Sequence, residues 1–224
     1  MWRVIFLASL LWASDAIAQQ RELACTVRVT QYEPDDVTCH MGTGVVVGRT
    51  ETRTLIATAA HVFDKDHTLR IVVEGGTESR REYAARLADW YDDGEHDAAL
   101  LVIDGPTELP AATIDGYRVP KGGEACVWVG AAWGQWPRAH AGTIIAPNGP
   151  VICVLPPCES GDSGGPVFVN GKLVGLCLGH YPPHDDPTNA EKLRGIYQYA
   201  SDIDRLLTAD EARPHGLTPR KPTQ

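Results

Sequence analysis

From Thr26 onward, apolar and β-branched residues gather into short runs separated by glycine, proline and acidic residues. Runs this short, bounded by turn formers, fit strands better than helices. The pattern predicts strands over Thr26 to Thr30, Thr43 to Val47, Thr54 to Thr58, Leu69 to Glu74, Glu82 to Ala88 and Ala98 to Ile103. A stretch with Gly105-Pro106, Pro110, Pro120 and Gly122-Gly123 interrupts the series. It resumes over Ala125 to Val129, Gly142 to Ala146, Val151 to Leu155, Pro166 to Val169, Lys172 to Leu178 and Gly195 to Ala200. Six runs before the break and six after it predict an all-β protein of two six-stranded antiparallel β-barrels, over residues 19–112 and 113–208. The one helix expected is short and C-terminal: Ser201 can cap it, and Ile203, Leu206 and Leu207 share a face. Residues 209–224 are polar and aperiodic and read as a flexible tail.

The first 18 residues have another character. Arg3 precedes an apolar run from Val4 to Trp12, and Ala16-Ile17-Ala18 has the small-x-small form of a secretory cleavage site. Residues 1–18 are therefore expected to be a signal peptide. Asp15 interrupts the run well short of a membrane span, so no stable membrane insertion is expected after cleavage, and the protein should be secreted or periplasmic.

Composition narrows the functional classes. With 224 residues and 43% apolar content the chain can bury a full core, so neither disulfides nor a metal is required for folding. A net charge of −9 with no stripe of Lys and Arg argues against a nucleic-acid partner. Six cysteines in an exported chain suggest three disulfides, Cys25 with Cys39 being the expected local bridge. Cys153, Cys158 and Cys177 could bridge among themselves, or Cys153 and Cys158 could join His180 and His184 around a structural zinc. The long segment between those pairs disfavours the zinc reading.

The chemistry is concentrated in Gly161-Asp162-Ser163-Gly164-Gly165-Pro166. Glycines around a serine let backbone N–H groups converge where an oxyanion would form. A serine hydroxyl also needs a base, and that base an orienting group. His61, at the end of the run Thr58-Ala59-Ala60-His61, and Asp97, directly before Ala98-Ala99-Leu100, are the candidates. An esterase elbow would require a helix after the serine. Here Pro166 to Val169, Asn170-Gly171 and Lys172 to Val174 read instead as a β-hairpin.

These three segments, in this order, resemble the chymotrypsin-fold serine peptidases. Gly42-Thr43-Gly44-Val45-Val46-Val47 and Gly171-Lys172-Leu173-Val174-Gly175 are similar to the bacterial HtrA-like and glutamyl-endopeptidase-like members, without room for the HtrA PDZ module. The resemblance implies two barrels with the site between them and hydrolysis of a protein or peptide substrate. It also implies an oxyanion hole at the N–H groups of Gly161 and Ser163, and no metal or cofactor. A substrate pocket walled by Pro157, Glu159, Ser160, Leu178, Gly179 and His180 follows from the same likeness, with a small or apolar preference. The competing reading is the same fold with catalysis lost, acting as a binding or scaffold module.

Overall fold

The computed structural model describes residues 19–64, 70–75, 81–92, 97–114, 119–148, 151–156, 158–180 and 195–199. Their strands are β1 (Thr26–Tyr32), β2 (Cys39–Arg49), β3 (Arg53–Thr58), β4 (Arg70–Gly75), β5 (Arg81–Asp92) and β6 (Asp97–Asp104). The second set is β7 (Ala125–Gly130), β8 (Arg138–Asn148), β9 (Val151–Leu155), β10 (Pro166–Val169), β11 (Lys172–His180) and β12 (Gly195–Tyr199). Each expected run falls on one of them; Leu69 and Ala200 lie outside the described residues. Strand order closes two barrels, β1-β2-β3-β6-β5-β4 and β10-β11-β12-β9-β8-β7, and every strand pairing within them is antiparallel. The leader, the Ser201 to Leu207 helix and the tail lie outside the described residues.

The strands that lack polar alternation are buried on both faces. Val46 on β2, Ile56 on β3 and Leu101 on β6 pack with Val29, Ile71 and Val73 inside the first barrel. The residues beside them, Val45, Leu55 and Leu100, belong to a second cluster that also holds Val129, Phe168 and Leu176 of the second barrel. Period-2 alternation thus sends one set into the barrel and the other into the interface. Burial of side chains such as Leu55, Leu100 and Phe168 contributes about 1.5–3 kcal/mol each. That shared apolar layer fixes the two barrels against each other, and so fixes any site built from both.

Two features depart from expectation. Residues 19–24 are helical, with Glu22 buried, and burial pushes its carboxyl up to about 7. The Cys25–Cys39 bridge is ruled out by register: Tyr32 pairs with Cys39 whereas Thr26 pairs with Val45. The two cysteines therefore sit at opposite ends of the β1–β2 ladder, about 20 Å apart at ~3.4 Å per residue, far beyond the ~7 Å limit on Cα separation for a disulfide. Cys25 instead directs its thiol to the Glu22 carbonyl at 3.2 Å. Cys126, Cys158 and Cys177 are buried together with Trp128 and Ile144 in the second barrel's core. The side chains of Cys153, His180 and His184 lie outside the described residues.

Candidate active site

Strand β3 ends at Thr58, and Ala59 in extended conformation leads into a single 3-10 turn, Ala60–Val62. Ala60 and Val62 are buried, which leaves His61 between them directed at the cleft. The β3–β6 register pairs Thr58 with Ala99 and so brings Asp97, at the start of β6, alongside that turn. Asp97 holds the histidine twice: Oδ1 accepts the His61 backbone N–H at 3.0 Å, and Oδ2 lies 2.5 Å from Nδ1. Burial alone would raise the Asp97 carboxyl. The His61 ring and the backbone N–H groups of His61 and Ala60 outweigh that effect and hold it below its ordinary value. With Nδ1 carrying the proton toward Asp97, Nε2 is left to accept one.

Across the cleft, Ser163 Oγ lies 2.8 Å from His61 Nε2. The loop that carries it is tied on both sides. Thr43 N–H of β2 donates to Ser163 O at 2.7 Å, and Gly164 N–H donates to Cys177 O of β11 at 2.7 Å. Cys177 N–H returns a bond to Gly165 O at 2.7 Å.

Two peptide units of this loop have their carbonyls fixed from behind. Ser160 O accepts from Trp133 N–H at 2.7 Å, and Asp162 O accepts from Gly165 N–H at 2.8 Å. In a trans peptide the N–H points opposite the C=O. The Gly161 and Ser163 N–H groups are therefore turned away from those anchors, and neither has an acceptor among the described residues. Gly161 and Ser163 both line the cleft, a cavity of about 450 Å³ that also includes Cys39, His40, Met41 and Trp133. Together these groups can attack a carbonyl, move its proton and receive the resulting oxyanion.

The expected pocket residues are dispersed. Ser160 lines the cleft. Glu159 is on the other side of the loop, accepting from Trp133 Nε1 at 2.7 Å beside a separate cavity of about 340 Å³ that Trp128, Trp136 and Asp162 also line. Leu178 is half-buried on β11, Gly179 and His180 continue that strand, and Pro157 lies outside the described residues. Asp162 is fully buried; Oδ2 accepts from Glu159 N–H at 2.6 Å, and Oδ1 accepts no hydrogen bond among the described residues. Burial is the main cause that pushes this acid up to about 6, against the Glu159 and Ala132 N–H groups. With its folded value raised, its contribution to stability is full below the unfolded value and is lost as pH rises through about 6.

Thr43 and Trp133 were not singled out from the sequence for these contacts. Trp133 adopts φ 55°, a left-handed conformation rarely taken by a bulky residue, and its backbone N–H anchors the loop. A threonine between two glycines at the start of an apolar run was the only sequence cue to the other.

Gly164 is irreplaceable on steric grounds. Its φ is +83°, and an added Cβ would overlap Thr43 O and Thr58 Oγ1 and stand 2.7 Å from Ala59 N. Left-handed strain and overpacking together predict that Gly164→Ala loses about 3 kcal/mol or more. Urea denaturation measures this directly; an unchanged midpoint would contradict it.

A model of the trypsin-like peptidase domain matches residues 42–176. No curated protein matches the chain. Solved structures with a similar fold include the active form of the Rv3671c protease from M. tuberculosis, with a TM-score of 0.68 and 20% identity over 92% of this chain and 86% of that one. A serine endoprotease from Yersinia pestis has a TM-score of 0.69 and 22% identity, covering 88% of this chain and 65% of that one. The HtrA-type protease AlgWS227A, solved with a tripeptide, has a TM-score of 0.69 and 21% identity, covering 86% of this chain and 62% of that one.

Proposed function

We propose that this chain, which belongs to the trypsin-like peptidase domain family, is a serine endopeptidase that cleaves peptide bonds through an acyl-enzyme on Ser163. His61 Nε2 takes the hydroxyl proton as Oγ attacks the carbonyl, then delivers it to the leaving amine. Asp97 holds the ring in the tautomer that leaves Nε2 able to accept. The oxyanion is received by the N–H groups of Gly161 and Ser163, where one such donor commonly contributes about 3–4 kcal/mol to the transition state. The observation that carries this reading is the 2.8 Å approach of Nε2 to Oγ between residues of different barrels, with Asp97 behind the ring.

The same reading extends to substrate and location. With Glu159 engaged by Trp133, the wall before Ser163 lacks a carboxylate directed at a basic side chain, which favours a small or apolar residue before the scissile bond. The Arg3, Val4 to Trp12 and Ala16-Ile17-Ala18 pattern supports export. No helix among the described residues is long and apolar enough to cross a membrane.

A fluorophosphonate probe tests the reading. It should label Ser163 of the folded protein in proportion to loss of activity on a peptide amide. Absence of labelling on folded protein would instead favour a silent binding module, and labelling with turnover of esters but not amides would favour an esterase.

A further inference from the structure

We propose that the Thr43 side-chain hydroxyl is a positioning element for the oxyanion site, acting from the first barrel on the loop of the second. The inference rests on the peptidase reading above and adds a residue that the three reacting side chains do not include.

Thr43 is fully buried on β2, and each of its polar groups is engaged. Its N–H donates to Ser163 O at 2.7 Å, and its carbonyl accepts from Thr58 Oγ1 at 2.7 Å. Oγ1 lies 2.8 Å from Gly161 O and 2.9 Å from Ala131 N. An amide nitrogen can only donate and a carbonyl can only accept, so the direction of both bonds is fixed. Ala131 N–H donates to Oγ1, and the hydroxyl proton goes to Gly161 O. One hydroxyl thereby bridges the chain entering the turn at Ala132–Gly134 and the glycine that presents an oxyanion donor.

The consequence lies in the peptide unit joining Ser160 to Gly161. Gly161 sits at φ +95° and, without a Cβ, has access to other backbone conformations. A flip of that peptide would aim Ser160 C=O at the cleft and turn Gly161 N–H away. Trp133 N–H to Ser160 O at 2.7 Å opposes the flip directly, and Thr43 Oγ1–H to Gly161 O fixes the next peptide plane, against which the flip would turn. Trp133 belongs to the turn that Thr43 also holds through Ala131, so removal of the hydroxyl weakens both restraints. The oxyanion contact tightens only as charge develops on the substrate, so its loss should fall on kcat and leave KM nearly unchanged.

The test compares Thr43→Val, which keeps the shape and removes the hydroxyl, with Thr43→Ala and Thr43→Ser, on a peptide amide substrate. Loss of a single oxyanion donor lowers kcat by about 10²–10³-fold, so displacement of one predicts a fall of at least ~10-fold in Val and Ala. KM should stay within about 2-fold, and Ser should restore most of kcat. Affinity for a peptide aldehyde, which binds as an oxyanion-bearing adduct, should fall in parallel with kcat, while affinity for the product peptide should not. Full kcat in Thr43→Val would overturn the proposal, as would a rise in KM alone or failure of Thr43→Ser to rescue. If both hydroxyl-free variants fail to fold, the hydroxyl serves the fold and the proposal is likewise overturned. Wild-type turnover is measured alongside; its absence would sink the peptidase reading itself, whereas turnover with an indifferent Thr43 would sink only this inference.

Discussion

Ser163→Ala is expected to lower kcat/KM on a peptide amide by roughly 10⁶-fold while shifting stability by no more than about 0.5 kcal/mol. The asymmetry follows from what the substitution removes. In the proposed mechanism Oγ is the attacking atom, and its one hydrogen-bond partner among the described residues is His61 Nε2. The ties that hold the loop are backbone bonds, from Thr43 N–H to Ser163 O and from Gly164 N–H to Cys177 O, and alanine keeps both. The oxyanion donors also remain, so a residual rate of roughly 10³–10⁴ over the uncatalysed reaction should persist. Kinetics normalised by active-site titration of the wild type, with thermal melts of both proteins, measures both halves. A folded variant retaining more than a hundredth of wild-type turnover would mean that another group is the nucleophile.

The barrels were legible because their chemistry is local. Val45-Val46-Val47 and Ala98 to Ile103 are apolar without interruption, since each faces the barrel interior with one set of residues and the neighbouring barrel with the other. Strand ends were less legible. Cys39 is half-buried and His40 and Met41 are exposed, yet they extend β2 because they pair with Tyr32, Gln31 and Thr30. Glu22, within the helical residues 19–24, is a buried acid, which no hydropathy pattern would place inside. The Cys25–Cys39 expectation failed because nearness in sequence does not report register.

The site divides along the same line. His61, Asp97 and Ser163 could be put forward as candidates from their distinctive neighbours, and the structure brings their side chains together. Trp133 and Thr43 act by fixing peptide planes. Such a role depends on which carbonyl each donor meets, as with Trp133 N–H on Ser160 O and Thr43 Oγ1–H on Gly161 O, and side-chain identity alone does not encode it.

Asp97→Asn should lower kcat by roughly 10⁴-fold with KM little changed, an effect second only to loss of the nucleophile. An asparagine has nearly the same shape, and its Oδ1 can still accept the His61 backbone N–H. Its amide nitrogen, however, can only donate. Placed at the position of Oδ2, 2.5 Å from Nδ1 in the native pair, it would favour the tautomer with the proton on Nε2. That ring nitrogen could then no longer take the Ser163 proton. The charge matters as well, because the imidazolium formed during attack loses its neighbouring carboxylate. The pH profile separates this mechanism from a general loss of fold. In the wild type, His61 and the backbone N–H groups hold Asp97 low, so it stays ionised as acid is added, and its stabilising contribution is lost only as pH falls through that lowered value. Loss of the Asp97 contact should therefore not limit activity until pH falls through that lowered value, and the fold around the site should persist over the same range. A folded Asp97→Asn variant within 10-fold of wild-type kcat would show that the carboxylate behind the ring does not set its tautomer.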